Sequence, residues 1–168
     1  MPSLSSGSGS SASSARIEGP HEWVEAFNGD IPEGAVAGGV DHKNDTIYVA
    51  RGVFKDILCP GSLCPKDGGV YVCLEGSVGK LTAYEVLCNA KVIWKNWSAG
   101  NAKLLNSGLK EEAIVGWVTD EAPMLVGRVK IKEAMAVGMY HGDNQIFYAA
   151  YQGKEMAFKK FELLLFDL

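Results

Sequence analysis

The sequence contains the same unit twice, and this internal duplication constrains the fold more than any other feature. The segment AVAGGVDHKNDTIYVARG (residues 35–52) aligns with AIVGWVTDEAPMLVGRV (residues 113–129) at an offset of 78 residues that becomes 77 after a one-residue gap. The offset of 77 residues then holds as far as YEVLC in the first copy and FELLL in the second. Because chance matches do not keep one register over such a length, the chain is predicted to be a tandem duplication.

The matched positions include glycines, aromatic residues and charged residues. Identical pairs are Ala35 and Ala113, Gly38 and Gly116, Val40 and Val118, Val49 and Val126, Arg51 and Arg128, Gly61 and Gly138, Tyr71 and Tyr148, Gly76 and Gly153, Glu85 and Glu162, and Leu87 and Leu164. We therefore expect the two copies to adopt the same local structure.

Both copies have the pattern of β-strands. TIYVAR, GGVYVCL and AYEVLC, like MLVGRV, QIFYAAY and KFELLLF in the second copy, are short runs rich in β-branched and aromatic residues between turn-forming residues. KEEAIV and KIKEAMAV resemble helical segments, but their repeat partners lie in strand patterns. The sequence predicts an all-β domain with two halves related by an approximate two-fold axis. Trp23, Trp94 and Trp97 are expected to open each half or to seal the junction between them.

Composition and length set the domain organisation. Residues 1–20 are dominated by serine, glycine and alanine and contain no aromatic residue, which predicts a flexible tail. The rest of the 168-residue chain, residues 21–168, is expected to form one domain, with repeats at about 23–90 and 91–166. The tail lacks the apolar segment of a secretory signal, so the expected location is cytoplasmic, with vesicle association or release as alternatives.

Charge and hydrophobicity argue against two classes of partner. Charged residues make up 21% of the chain, the net charge is −4, and lysine and arginine form no cluster, so a nucleic acid partner is not expected. No apolar run approaches the roughly 20 residues that a membrane-spanning helix needs. The partner is therefore expected to be neither a nucleic acid nor a bilayer core.

The first copy resembles a known repeat. WVEAFNGDIPEGAVAGGVDHKNDTIYVARG, followed by PGSLCP, GGVYVCLEG and YEVLC, is similar to the DM9 repeat, which occurs as tandem pairs; the second copy is more diverged. The resemblance extends over about residues 23–166 and implies a β-sandwich of two pseudo-symmetric halves. It also implies a lectin that binds mannose or mannose-containing glycans without calcium, in innate immune recognition of microbes. A homodimer would present several weak sites together.

The resemblance also implies a sugar site. In DM9 repeats a carboxylate ends the GGxD motif and a lysine stands in PGKL; these positions are Asp41 and Ser62 here, so the lysine is replaced by serine. Lys66 and Arg51 lie close enough in sequence to substitute for that missing cation. In the second copy the corresponding pseudo-site is Thr119, Asp120 and Met139, which retains neither group at its aligned position.

Two of these assignments have structural alternatives. Asp41 either binds a sugar or caps the VDHKND turn, a common role of aspartate. Arg51 and its repeat partner Arg128 either line a sugar groove or form ion pairs with Glu85 and Glu162. The ion pairs are favoured, because they explain why both copies keep the arginine.

No set of residues indicates catalysis, a metal site or a cofactor. The cysteines Cys59, Cys64, Cys73 and Cys88 are spaced by 5, 9 and 15 residues, unlike paired zinc ligands. Free thiols are expected, and a Cys59–Cys64 disulfide is an alternative. We therefore expect a non-enzymatic carbohydrate-binding protein, or else a protein-interaction or structural module that has lost sugar binding.

Overall fold

The computed structural model describes residues 22–98, 114–118, 123–141 and 145–167, and these residues are almost entirely β-structure. The tail predicted at residues 1–20 lies outside them. Within the described ranges, the one helical element is a short 3₁₀ turn at Pro65–Asp67. None of the described residues form a helix long and apolar enough to cross a membrane. The all-β prediction is confirmed.

Two antiparallel sheets, one from each copy, make up the fold. The first contains β1 (Glu22–Phe27), β2 (Ala37–Val40), β3 (Thr46–Phe54), β4 (Ile57–Cys64), β5 (Gly69–Leu74), β6 (Ser77–Leu81) and β7 (Ala83–Cys88). The second contains β8 (Val92–Ser98), β9 (Val115–Val118), β10 (Pro123–Ile131), β11 (Ala134–His141), β12 (Ile146–Tyr151), β13 (Lys154–Phe158) and β14 (Lys160–Phe166).

The two sheets have the same topology. The strand order is β1-β7-β3-β4-β5-β6 in the first and β8-β14-β10-β11-β12-β13 in the second. The short strands β2 and β9 pair with β3 and β10 at equivalent places. Each strand thus has its counterpart seven strands later, which is the structural expression of the duplication.

Tight turns join most neighbouring strands. Lys55 and Asp56, between β3 and β4, have φ angles of 53° and 66°, and Gln152 and Gly153, between β12 and β13, have 49° and 80°. Two consecutive residues with positive φ form the type I′ turn, whose twist matches that of an antiparallel hairpin. KIKEAMAV, which resembled a helix, contains the hairpin turn between β10 and β11, where Lys132 has a φ angle of 58°.

The two sheets pack face to face as a β-sandwich. We call the apolar layer between them the joint; β4 contacts β11 and β5 contacts β12 across it. Its buried residues are Val36, Ile47, Val49, Cys64 and Leu87 from the first copy and Ile114, Val126, Val137 and Leu164 from the second. Trp23 lies in the first strand of the first sheet and Trp94 in the first strand of the second, and both pack against the joint, so they have both of the expected roles. Trp97 packs against a different cluster.

Some strands are buried on both faces. Val86, Leu87 and Cys88 are all fully buried, with Leu87 in the joint and its two neighbours in a cluster on the opposite face of the sheet. Residues 163–165 of β14 repeat this arrangement. Coverage of both faces explains why these strands read as continuous apolar runs rather than as an apolar–polar alternation.

The duplicated glycines Gly61 and Gly138 stand where no side chain fits. A Cβ at either position would lie 2.0 Å from the carbonyl oxygen of the neighbouring strand, that of Tyr71 or of Tyr148. Because backbone occupies this space in both copies, both copies keep glycine there.

Candidate functional site

A cavity of about 130 Å³ opens beside the joint and receives side chains from both copies. Its wall includes Asp41, Ser62, Asp67 and Tyr71 of the first copy, and Tyr151 and Gln152 of the second. A cavity needs roughly 10–15 Å³ to hold one water molecule, so this cavity has room for more than one or two waters and can hold a small polar ligand. We call it the joint cavity.

Asp41 follows β2 directly and caps the turn that leads to β3. Its Oδ1 accepts hydrogen bonds from the backbone N–H groups of Lys43 and Asp45, at 2.9 and 3.0 Å. The capping alternative is therefore present in the structure. Within the described part of the chain, Asp41 Oδ2 accepts no hydrogen bond. The carboxylate thus caps the turn through one oxygen, and the same residue lines the cavity.

The two glycines before Asp41 bring this turn close to the second sheet. A Cβ on Gly38 would lie 2.7 Å from the Val137 side chain, and one on Gly39 would lie 2.7 Å from that of Met135. The GGVD sequence therefore lets β2 pack directly on β11. This contact places the carboxylate at the edge of the joint.

Ser62 lies in the same cavity wall but has a second partner. It is 6% exposed, and its Oγ accepts a hydrogen bond of 2.8 Å from the backbone N–H of Val137 in the other sheet. Ser62 therefore ties β4 to β11 across the joint. From the sequence, this position was identifiable only as one where serine replaces the lysine of the family motif. No sequence pattern indicated its contact with the other copy.

Asp67 and Tyr71 are polar groups of the cavity wall that the sequence did not single out as ligand-binding. The Tyr71 hydroxyl donates to Asp67 Oδ2 at 2.8 Å, and burial, followed by that carboxylate, raises the pKa of Tyr71 to about 12. In the sequence, Tyr71 stood out only because Tyr148 matches it in the second copy, and Asp67 only as part of a turn. The two residues line one cavity because of how the sheets pack, and the sequence patterns do not indicate that packing.

Arg51 does not line the joint cavity. Its Nε donates to Glu85 Oε1 at 2.7 Å, and its guanidinium carbon lies 4.1 Å from the centre of the Trp23 ring. The ion pair predicted for both copies is present in both, since Arg128 lies 2.6 Å from Glu162. The geometry gives Arg51 a structural partner and no route to a ligand in this cavity.

Arg128 also makes a contact with the first copy. Its Nη1 donates to the carbonyl oxygen of Gly38 at 2.9 Å, and its guanidinium carbon lies 4.2 Å from the Trp94 ring. The arginine of the second copy therefore holds the GGVD segment of the first. Through this bond it supports the turn that carries Asp41.

Lys66 lies near the Asp41 turn, outside the cavity wall. Its side chain is 76% exposed, and its Nζ is 2.9 Å from Asp45 Oδ1. Asp45 in turn donates its backbone N–H to Asp41, so Asp45 links the Lys66 ammonium group to the capping carboxylate. A direct role for Lys66 in ligand binding stays a prediction.

The second-copy pseudo-site has no comparable arrangement in the described residues. Met139 is 2% exposed and belongs to an apolar core cluster, so it offers no surface to a ligand. Thr119 and Asp120 lie outside the described residues.

All four cysteines are buried and unpaired. Cys59 and Cys64 stand five residues apart on the same strand, which separates their Cα atoms by roughly 16 Å. A disulfide requires a Cα separation below about 7 Å, so this strand cannot carry the Cys59–Cys64 bridge. Burial raises the pKa of Cys59 to about 11 and that of Cys64 to about 12.

Comparison with known proteins gives a family and a fold. The model of the DM9 repeat family matches residues 16–78 and residues 41–158. The crystal structure of the nematode sperm cell motility protein MFP2B has a similar fold, with a TM-score of 0.61 and 14% sequence identity over 88% of this chain. The match covers 47% of the MFP2B chain, so this chain spans about half the length of that structure. No curated protein matches the chain.

The family match and the structure agree on the repeated unit. The two matched segments together extend from residue 16 to residue 158, well over half of the chain. The two sheets of identical topology account for a family model that matches twice. The chain belongs to the DM9 repeat family.

Proposed function

We propose that this protein is a non-catalytic, calcium-independent lectin for mannose-type glycans, and that the joint cavity is its sugar site. The observation that carries the proposal is Asp41, which ends the GGVD motif, caps its turn through Oδ1 and lines a cavity of about 130 Å³. Membership of the DM9 repeat family supports the same reading. The biological role proposed with it is pattern recognition in innate immunity.

The chemistry of the cavity wall suits a polyol. Asp41 and Asp67 offer carboxylate acceptors to sugar hydroxyls, and the Gln152 side chain offers both donors and an acceptor. Hydrogen bonds to ionised groups are roughly twice as strong as those between neutral groups. Tyr151 gives the wall an apolar portion, against which the C–H face of a pyranose packs.

A single cavity of this size supports weak binding. A homodimer would raise the affinity for a repetitive glycan surface, because the second contact becomes intramolecular. We therefore expect weak binding of free mannose and stronger retention on mannan.

A second candidate is a protein-interaction or structural module without sugar binding. Two observations favour it: the Ser62 hydroxyl is bonded to Val137, and a protein of similar fold is a sperm cell motility protein. This alternative predicts no binding of mannose or mannan at any calcium concentration.

Retention on immobilised yeast mannan in the presence of a chelator tests the proposal. The matched variants are Asp41→Asn, which keeps an oxygen for the turn cap but removes the charge, and Asp56→Asn in an exposed turn away from the cavity. We expect the wild type and Asp56→Asn to be retained and Asp41→Asn to lose about 1.5–3 kcal/mol of binding free energy. Equal retention of both variants would place the sugar elsewhere, and no retention of wild type would favour the interaction module.

A further inference from the structure

The formal charges in the joint cavity are of one sign. Asp41 and Asp67 are carboxylates, and no lysine or arginine of the described residues contributes to the wall. Ser62, the polar residue between them in sequence, already accepts a hydrogen bond from Val137. Apart from the imidazole of His42, which also lines the wall, the cavity therefore offers anionic acceptors without a lysine or arginine of its own.

The nearby lysines are engaged outside the cavity wall. Lys66 pairs with Asp45, and Lys80 donates to the backbone carbonyl oxygen of Asp67 at 3.0 Å. Neither lysine is part of the cavity wall. Among the described residues, Asp41 Oδ2 and Asp67 Oδ1 accept no hydrogen bond.

Two other wall residues respond to this negative field. After burial, the largest cause, the carboxylates of Asp67 and Asp41 raise the pKa of the Cys64 thiol, and they also raise that of the Tyr71 hydroxyl. Both groups line the cavity, and each becomes an anion when it loses its proton. At these two groups the carboxylates therefore oppose a further negative charge.

We propose that the joint cavity prefers a hexose that carries a primary ammonium group, such as a 2-amino-2-deoxyhexose, over the neutral hexose. The inference rests on the proposed sugar site and names its ligand class. The ammonium group supplies a donor of the kind that a lysine would give, which the wall lacks, and the carboxylates of Asp41 and Asp67 accept its hydrogens. The remaining sugar hydroxyls bond to Gln152, because Asp41 Oδ1 and Asp67 Oδ2 already accept hydrogen bonds within the protein.

The test compares three ligands on one hexose scaffold by titration calorimetry: mannose, mannosamine and N-acetylmannosamine, at a pH that keeps the free amine protonated. We expect mannosamine to bind about tenfold more tightly than mannose, the effect of one added charge-assisted hydrogen bond. N-acetylation removes the charge and should abolish the gain. Cadaverine, an amine without hydroxyls, should not compete.

Variants assign the preference to the carboxylates. Asp67→Asn keeps the size of the side chain and an acceptor for Tyr71, and it should bring the ratio of the two affinities close to one; Asp56→Asn should leave the ratio unchanged. Equal affinity for mannose and mannosamine, or full competition by cadaverine, would overturn the inference. If mannose binds without an amine preference, the sugar site stands and the inference falls; if no sugar binds, both fall.

Discussion

Replacing Ser62 with alanine tests the hydrogen bond that joins the two copies. The substitution removes the Oγ that accepts from the Val137 N–H at 2.8 Å, in a place where Ser62 is only 6% exposed. A buried donor left without a partner costs about 1–3 kcal/mol. For a domain of this size, that loss lowers the melting temperature by about 2–4 °C for each kcal/mol.

The assay is equilibrium unfolding in urea, with Ser77→Ala as the matched control. Ser77 also accepts a hydrogen bond through its hydroxyl, but from the exposed ammonium group of Lys55. Its replacement should change the free energy of unfolding by less than about 0.5 kcal/mol. If Ser62→Ala proved as stable as Ser77→Ala, the bond across the joint would contribute nothing and our account of Ser62 would be wrong.

Two further predictions follow from the ion pairs and the thiols. Arg128→Ala should lower the melting temperature in thermal unfolding, because it removes both the ion pair with Glu162 and the hydrogen bond to Gly38 across the joint; an unchanged melting temperature would contradict this. The thiols of Cys59 and Cys64 should resist alkylation in the native protein near pH 8, since burial raises their pKa values to about 11 and about 12. Rapid labelling without denaturant would refute that burial.

The repeat and its strand patterns were sufficient to predict an all-β domain of two related halves, and the resemblance to the DM9 repeat supplied the β-sandwich. Pairs such as Gly61 with Gly138 recur because backbone occupies the space of a Cβ in both copies, and this constraint is visible in one sequence. Arg51 and its partner Glu85 were predictable for the same reason. They stand opposite each other on β3 and β7, so both copies need both residues.

The candidate site was only half predictable. Asp41 follows from the GGVD motif, but Tyr151 and Gln152 reach the cavity from the other copy, and no local pattern reports how the two sheets are rotated against each other. Ser62 shows the same difficulty. Its partner is a backbone N–H of the second sheet, a group that every residue except proline carries and that no sequence distinguishes.

Mapping of backbone amide chemical shifts during a titration with mannose tests the sugar site most directly. Our account predicts saturable shifts in the Asp41–Asp45 turn and at Tyr71 and Tyr151, with calcium absent. Shifts confined to surfaces away from the joint cavity, or no shifts at saturating mannose, would contradict it.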